Sequence, residues 1–205
     1  MHVNCAAANR GIRWFAHLLI MHHRWAADHW LEAPPPPRSA LRVVTARTVA
    51  GPRTNEVNPV ARSNVCPEID PPTAPSFYAF SYTVPSENRT ARSFVAAGSG
   101  EAREGGPSYE GRRIRPGDHS PEAMREKANF VLGAMEHRMA ALGFSWADVT
   151  ATQVYTIFDI HPLLADEFVR RGAMSGGLAW HFARPPVQGL DFEVDVRGIA
   201  HEFVI

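Results

Sequence analysis

The sequence predicts an α+β domain in which a sheet of five to six strands carries two helices on one face. Three observations predict it. Residues 190–197 alternate apolar and charged side chains, which is the period of a strand with two unlike faces. Residues 120–143 carry the start, the apolar stripe and the end of one amphipathic helix. The predicted element order, β-β-α-β-α-β-β, places strand pairs around a helix–strand–helix centre and leaves one sheet face open.

The first two predicted strands are 76–85 and 93–100, and we expect them to form a hairpin. The first is aromatic and β-branched and ends at a proline, and a polar turn separates it from the second. The glycines of 98–106 have some likeness to a nucleotide-binding loop. No helix follows them directly, so no helix dipole faces a phosphate there, and a glycine-rich strand exit is favoured. A further short strand is expected between Tyr109 and Ile114.

The first helix has the clearest signal in the chain. Ser120 is a good N-cap, Pro121 suits the first helical position, and Glu122 places an acid in the first turn. The apolar stripe that follows recurs at spacings of three and four: Met124, Ala128, Val131, Met135, Met139 and Leu142. Gly143 ends the run. We therefore predict a long helix with one buried face, filled by methionines as core residues.

The remaining elements follow from shorter patterns. They are a third strand at 149–160, a second helix at 162–173, a fourth strand at 177–183 and a closing strand at 190–200. On the fourth strand, Trp180 and Phe182 share the parity expected to be buried. His181 then points to the opposite, open face.

Three carboxylates share one parity of the closing strand: Asp191, Glu193 and Asp195. If the last two strands are neighbours, these carboxylates lie on the same face as His181. Like charges in a row repel one another at close range. We therefore expect Arg184, Arg197 or residues of another chain to compensate them.

Residues 1–75 are predicted to be a flexible proline-rich arm, and the compact domain to span 76–205. The arm is poor in sustained apolar periodicity, so it cannot bury enough surface to offset its ordering entropy. The segment 11–32 is compatible with an amphipathic helix, although its apolar run 14–21 is too short to cross a membrane. The arm's clustered histidines match no familiar metal-site spacing: His22, His23 and His29.

Composition excludes some partners. The chain holds 21 Lys and Arg against 21 Asp and Glu, so no strong field attracts nucleic acid or an anionic membrane. Cys5 and Cys66 both precede the predicted domain, so no disulfide is expected in its core. That distribution fits a reducing cytoplasm. The sequence thus predicts a cytoplasmic protein whose partner is a small molecule.

Four stretches resemble the RidA/YjgF family of reactive-intermediate deaminases. They are "FSYTV" at 80–84, "FVAAGSGEA" at 94–102, "MAALGFSWADVTATQVY" at 139–155 and "ARPP" at 183–186 with "LDFEVDVRGIA" at 190–200. Each alone is weak, but their order and spacing are similar to the family's over roughly residues 76–205. The predicted arm has no counterpart.

The resemblance implies a chorismate-mutase-like fold, assembled as a homotrimer with sites in the clefts between subunits. It also implies hydrolysis of an enamine or imine to a keto compound and ammonia, without a metal or organic cofactor. In that chemistry a carboxyl group orients the attacking water. An arginine holds the substrate carboxylate by a bidentate ion pair.

Carried onto this sequence, the resemblance places the water-orienting glutamate at Glu193. His181 is a second catalytic candidate, because an imidazole near a carboxylate can transfer protons at neutral pH. The alternative is that His181 only neutralises the acidic face. The substrate-binding candidates are Tyr82, Ser99, Gly100, Glu101, Arg184 and Arg197.

The chain also departs from the family pattern. Gly177 stands where the family has its anchoring arginine, Phe80 replaces a tyrosine, and Ala179 replaces a common cysteine. A glycine cannot bind a carboxylate through charge, so either another cation has taken over or the ligand differs.

Three hypotheses follow from these residues. The first is an enamine or imine hydrolase, with aminomuconates among its candidate substrates. The second is a trimeric protein of the same fold that binds a small metabolite without turnover. The third is a scaffold that contacts other proteins through the arm.

Overall fold

A computed structural model describes most of the chain from residue 93 onward and only short strands before it. The described residues are 2–3, 13–14, 19–24, 39–42, 60–61, 64–69, 76–80, 85–86, 93–103, 108–185 and 187–202. Within them, helices separate the strands from residue 93 to residue 181, and two further strands follow up to residue 198. The predicted α+β fold class is confirmed.

The central sheet has four strands in the described part of the chain. These are β1 (Phe94–Gly100), β2 (Ala151–Tyr155), β3 (Leu178–His181) and β4 (Glu193–Gly198). Their spatial order is β3-β2-β4-β1. β2 runs parallel to β3 and antiparallel to β4, and β4 runs antiparallel to β1. The two middle strands therefore have both edges occupied.

Helix α1 (Pro121–Ala141) forms as the sequence predicts. Ser120 is its N-cap, and the serine Oγ accepts a hydrogen bond from the Ala123 amide at 3.2 Å. The helix ends at Leu142, whose amide donates to carbonyls of the last turn. The predicted stripe is buried from Met124 to Met139 and packs in one cluster with the core face of the sheet. That face includes Phe94, Val154, Phe192, Val194 and Val196.

The second helix is shorter than predicted. Helix α2 (His161–Leu163) continues directly as a π-helical segment, Leu164–Val169, instead of reaching residue 173. A short 3₁₀ turn, Trp146–Asp148, connects α1 to β2. The third and closing strands are also shorter than predicted, because the ladders cover only Ala151–Tyr155 and Glu193–Gly198 and the flanking residues at both ends lie outside them.

A second sheet contains five short strands. They are Leu19–Arg24, Ser39–Arg42, Asn64–Pro67, Ser76–Phe80 and Ala183–Arg184. Two further pairs join His2–Val3 with Val60–Ala61 and Arg13–Trp14 with Pro85–Ser86. The second sheet thus includes strands from both sides of Pro75, where the sequence predicts a boundary.

Two predictions for this region are wrong. The segment 11–32, compatible with a helix in the sequence, contains instead the strand Leu19–Arg24 among its described residues, and this strand pairs with 39–42 and with 76–80. An apolar run of this length has no periodicity that distinguishes strand from helix, and the two ladders decide it. The predicted hairpin also fails, because 76–80 pairs with 19–24 while β1 pairs with β4. Alternation predicts a strand but does not name its partner.

Two smaller predictions also change. Phe182 is 45% exposed, although the sequence places it with Trp180 on the buried side. The strand β3 ends at His181, so the alternation no longer fixes the side chain of the next residue. Between Tyr109 and Ile114 the structure has an isolated bridge, Ala102 to Arg113, rather than a strand.

Across the described residues, no helix is both long enough and apolar enough to span a bilayer. The same residues contain no group of three or more histidine, cysteine or acidic side chains placed to hold a metal ion. Cys66 is a buried thiol in the strand 64–67, and Cys5 lies outside the described residues.

Candidate active site

A row of three polar residues crosses the middle of the central sheet. Tyr155 of β2 is in register with His181 of β3 on one side and with Glu193 of β4 on the other. Glu193 in turn stands opposite Gly100 of β1. Residues in register point to the same face of a sheet. The alternating residues of β2, β3 and β4 thus bring these three side chains to one side.

A second polar level lies beside this row. Gln153 stands opposite Asp195, and Ala151 stands opposite Arg197. We call the whole set the polar face: Gln153, Tyr155, His181, Glu193, Asp195 and Arg197. The intervening residues of the same strands, such as Val154 and Val194, belong to the core under α1.

The polar face is buried within the single chain. Tyr155 and Asp195 are 0% exposed and Glu193 is 6% exposed, while His181 is half-buried. The sequence predicts an open face here, and that prediction is wrong. Period-two alternation separates the two faces of a strand, but it does not say whether the rest of the chain covers the charged one.

Tyr155 is the centre of the polar face. Its Oη donates a hydrogen bond to Asp195 Oδ2 at 2.8 Å. Its ring stacks on the His181 imidazole, with 4.9 Å between ring centroids and 20° between ring planes. Burial, followed by the negative charge of Asp195, raises the pKa of Tyr155 well above its ordinary value. The phenol therefore keeps its proton and remains a donor.

Gln153 connects the two ends of the polar face. With its amide oxygen toward the guanidinium, that oxygen accepts from both terminal nitrogens of Arg197, one at 2.9 Å. The amide nitrogen then donates to His181 Nε2 at 2.6 Å and to Tyr155 Oη at 3.2 Å. This orientation satisfies both the oxygen and the nitrogen of the Gln153 amide, because Tyr155 already gives its own proton to Asp195. Arg197 also pairs with Glu202.

Two groups of the row have strongly shifted pKa values. Burial raises the pKa of Glu193 to about 8, and the negative charges of Asp195 and Glu101 act in the same direction. The positive charge of Arg138 acts in the opposite direction. Burial, with the guanidinium of Arg197, lowers the pKa of His181 to about 4. At pH 7 the row thus holds a protonated carboxyl group and a neutral imidazole.

The sequence of this chain matches one known protein family over most of its length. The family described as 2-aminomuconate deaminase CnbZ matches residues 43–203. The chain belongs to the CnbZ family. This assignment confirms the deaminase kinship that the sequence motifs indicate. The match begins at residue 43, well before the start near residue 76 that the motifs suggested.

A curated relative of this CnbZ-family chain is the 2-amino-5-chloromuconate deaminase of Comamonas testosteroni. The two are 51% identical over 152 residues, which cover 74% of this chain and 61% of the relative. The chain therefore spans less than two thirds of that relative's length.

Two solved structures are similar to part of the chain. A putative endoribonuclease from Thermotoga maritima MSB8 is 17% identical, with a TM-score of 0.41, and the likeness covers 55% of this chain and 83% of that one. The YjgF gene product from E. coli is 14% identical, with a TM-score of 0.39, and the likeness covers 55% and 84% of the two chains.

Some of the residues predicted for the site of this CnbZ-family chain lie near Glu193. Gly100 stands opposite Glu193, and a Cβ added to Gly100 would lie 2.7 Å from a Leu190 methyl carbon. Ser99 stands opposite Val194, on the core-facing parity, and is 8% exposed. The structure therefore places the backbone of this glycine segment, more than the serine side chain, beside the polar face.

The Glu101 side chain binds backbone amides of a neighbouring segment. Its carboxylate accepts hydrogen bonds from the amides of Asp191 at 2.5 Å and Phe192 at 3.0 Å. Burial raises its pKa to about 7, although these amide donors act in the opposite direction. Glu101 thus fixes the segment that leads into β4, close enough for its charge to act on Glu193.

Other predicted site residues lie elsewhere. Arg184 pairs with Glu68 at 3.3 Å, in the strand that joins the second sheet. Tyr82 lies outside the described residues. Gly177, at the position of the family arginine, has a φ of +101° and is exposed just before β3. Arg197 alone among the predicted substrate-binding cations belongs to the polar face.

The alternation predicts that Asp191 lies on one face with Glu193 and Asp195, but the structure places it elsewhere. It precedes β4, and its Oδ2 lies 2.5 Å from the Nζ of Lys127 on α1 and 3.2 Å from His119 Nε2. Lys127 is 0% exposed and also donates to the Asp118 carbonyl at 2.8 Å. This buried pair ties α1 to the start of β4.

Sequence reasoning missed three residues near the row: Gln153, Tyr155 and Arg138. The signal for the first two was present, because Gln153 and Tyr155 alternate with apolar residues inside "TQVY" of the third strand. Arg138 carried no such signal. It projects from the last turn of α1, donates to the Gly98 carbonyl at 3.3 Å, and places a positive charge close enough to influence Glu193.

Proposed function

We propose that this protein is an aminomuconate-type deaminase that hydrolyses an enamine or imine and releases ammonia. The carrying observation is Glu193, a buried carboxyl group held protonated at neutral pH in the middle of a polar row. Membership of the CnbZ family and the 51% identity to a chloromuconate deaminase support the substrate class.

Glu193 suits both halves of the reaction. As the acid, it protonates the enamine carbon and gives an iminium ion. As the resulting carboxylate, it accepts a proton from the water that attacks the iminium carbon, which forms a neutral carbinolamine and restores the acid. The hydroxyl proton then moves to the nitrogen, the carbon–oxygen double bond forms, and ammonia leaves. The sum is enamine plus water to keto compound plus ammonia.

The neutral His181 has a narrower role in this proposal. With a pKa of about 4 it does not supply a proton as an imidazolium at pH 7. We therefore assign it to orientation, as a hydrogen-bonding group in the same row as Glu193. The proton transfer that the sequence suggested for His181 falls to Glu193.

A muconate has two carboxylates, so the substrate needs cations. Arg138 replaces the missing family arginine in this proposal, because its charge already acts on Glu193 and its guanidinium reaches the Gly98 carbonyl. A bidentate guanidinium–carboxylate pair provides orientation as well as charge.

The test measures ammonia release and the loss of diene absorbance, with 2-aminomuconate generated in situ. Wild type is compared with Glu193→Gln and with Glu126→Gln, an exposed control on α1. We expect Glu193→Gln to lose at least about 100-fold in kcat, since general acid–base catalysis contributes that much or more. Equal rates in wild type and Glu193→Gln would refute the mechanism.

Two further properties are part of the proposal. We propose that the protein assembles as a homotrimer, as the deaminase resemblance implies, and that it works in the cytoplasm, which the placement of its two cysteines favours. The edge strand β3 and the adjacent exposed Phe182 support a subunit contact there. A molar mass measured by light scattering tests the assembly, and a monomer at micromolar concentration contradicts it.

A second candidate is a non-catalytic protein of the same fold that binds a small metabolite. The exposed Gly177 in place of the anchoring arginine favours it, since that position offers no charge to a substrate. Calorimetric binding of an aminomuconate without ammonia release after long incubation would favour this function over the deaminase.

A further inference from the structure

Gln153 lies in contact with both a permanent cation and the imidazole of the polar face. Its amide carbon carries one group that only accepts and one that only donates. Arg197 is a donor and remains charged at every relevant pH. The amide oxygen therefore turns to Arg197, and the amide nitrogen is directed to His181 Nε2 at 2.6 Å.

We infer that Gln153 is a positioning residue that holds His181 as the neutral tautomer with its proton on Nδ1. Because the amide nitrogen has only hydrogens to offer, His181 Nε2 has to accept and carries no proton. The second amide hydrogen goes to Tyr155 Oη at 3.2 Å, so the whole Gln153 side chain is fixed.

The charges around His181 agree with this assignment. The polar face brings the Arg197 guanidinium, the Glu193 and Asp195 carboxyl groups and the Tyr155 phenol to the same side of the sheet. The positive charge of Arg197 disfavours protonation of the imidazole to a cation. The same guanidinium also forms an ion pair with Glu202. The Tyr155 ring stacks on the imidazole and fixes its plane.

The consequence for chemistry rests on the proposed function. A His181 whose Nε2 is engaged by Gln153 presents Nδ1–H as a donor and has no ring nitrogen left to act as a base. Proton transfer in the proposed reaction is then left to Glu193. This assignment makes Gln153 a determinant of the site although it touches no reacting atom.

The test is the nitrogen spectrum of His181 in the full-length protein labelled with ¹⁵N-histidine. Long-range ¹H–¹⁵N correlations distinguish the protonated ring nitrogen from the unprotonated one. We expect wild type to carry the proton on Nδ1 at pH 7. A wild-type spectrum with the proton on Nε2 overturns the inference, whatever the variants do.

Two variants identify the cause. In Gln153→Glu a carboxylate faces the ring and accepts instead of donating, so the proton moves to Nε2 or the ring gains a second proton. In Gln153→Met both hydrogen bonds are lost at similar volume, and the Nε2–H form appears. A spectrum unchanged from wild type in Gln153→Glu overturns the role of Gln153.

Thr152→Val is the matched control. Thr152 is the preceding residue on β2, is 0% exposed, and donates to the Ala173 carbonyl at 2.6 Å on the other side of the sheet. Its substitution disturbs the same strand but leaves the Gln153 amide in place. We expect the wild-type tautomer in this control. A shifted tautomer would mean that disturbing the strand, and not changing the Gln153 amide, moves the proton.

The spectrum and the deaminase assay fail independently. If His181 carries its proton on Nδ1 and Gln153→Glu moves it, the inference stands even when no aminomuconate is consumed. If wild type consumes the substrate but the tautomer is Nε2–H, the proposed function stands and the inference fails. Where both hold, Gln153→Glu lowers kcat by about tenfold or more with a smaller change in KM.

Discussion

His181 and Glu193 lie in one row of the central sheet, with Tyr155 between them in register with both. Adjacent strands are about 4.8 Å apart, so the two backbones are separated by roughly 10 Å. That separation puts the backbones of β3 and β4 out of hydrogen-bonding reach of each other, while β2 pairs with both. In the proposed reaction, Glu193 and His181 therefore have separate roles.

In the proposed deaminase reaction, the pH dependence of turnover follows from Glu193. Its pKa is raised to about 8, so the protonated form that donates to the enamine carbon is fully present below that pH. As pH rises through 8 the donor is lost, and kcat/KM falls tenfold per further pH unit. Steady-state rates from pH 6 to pH 10 measure this. A rate that rises through pH 8 would instead make the carboxylate the rate-determining base.

The same shift predicts how stability depends on pH. Glu193 binds its proton more tightly in the folded chain, with a pKa near 8 against 4.5 in the unfolded one, so its contribution is complete below 4.5 and is lost as pH rises to 8. Glu101 acts likewise up to about 7. His181 has the opposite sign, with stability lost as pH falls from 6.5 to about 4.

Between pH 6.5 and pH 8 the contributions of the two carboxyl groups are not offset by that of His181. In that window we expect the unfolding free energy of wild type to fall by up to about 1.4 kcal/mol per pH unit for each titrating carboxyl group. Urea unfolding of wild type and Glu193→Gln at pH 6.5, 7.25 and 8 isolates the effect. Parallel curves for the two proteins would mean that Glu193 is already ionised at pH 7.

Strong local signals predicted the helix and the strands of this fold. Ser120 and Pro121 set the start of α1 because capping depends on neighbouring residues alone. The alternation of β4 placed Glu193 and Asp195 on one face for a similar reason. Strand order has no such local cause, so the sequence did not reveal that β2 separates β3 from β4.

The site was predicted in part for the same reason. Glu193 and His181 were identified by residue type and parity, which are local properties. Arg138 enters only through a long-range contact from the end of α1. The parity of Gln153 was visible in the sequence, but its contacts with Arg197 and His181 depend on strand order. Burial of the charged face also depends on the whole chain, since alternation has the same form in open and covered sheets.

The Lys127–Asp191 pair provides a prediction about stability. Lys127→Met leaves the Asp191 carboxylate, 8% exposed, without its nearest cation at 2.5 Å. Breaking a buried ion pair costs about 3–5 kcal/mol, because the remaining charge stays desolvated. Urea unfolding at pH 7 measures the loss. Arg115→Met is the control, since its pair with Asp118 is half-exposed and is expected to contribute little.

Both variants alter one side of an ion pair near the start of α1, so a similar loss in the two would argue against special cost at the buried site. The double variant Lys127→Met with Asp191→Leu removes both charges. We expect it to recover much of the loss, because a buried pair is often replaceable by apolar residues. No recovery would mean that Asp191 matters through its backbone position beside Glu101 instead.

Tyr155→Phe tests separately how the Tyr155 hydroxyl affects the stability of the fold and the pKa of Glu193. The variant keeps the ring that stacks on His181 but removes the Oη that donates to Asp195 Oδ2 at 2.8 Å. Asp195 is 0% exposed, so its carboxylate loses a donor that water does not readily replace. We expect a destabilisation of about 1–3 kcal/mol in urea unfolding at pH 7.

The same variant also has an expected effect on the proposed reaction. Because the negative charge of Asp195 raises the pKa of Glu193, any uptake of a proton by Asp195 lowers that pKa and moves the alkaline limb of kcat/KM to lower pH. An unchanged limb with the expected loss of stability would show that Asp195 stays ionised without the phenol.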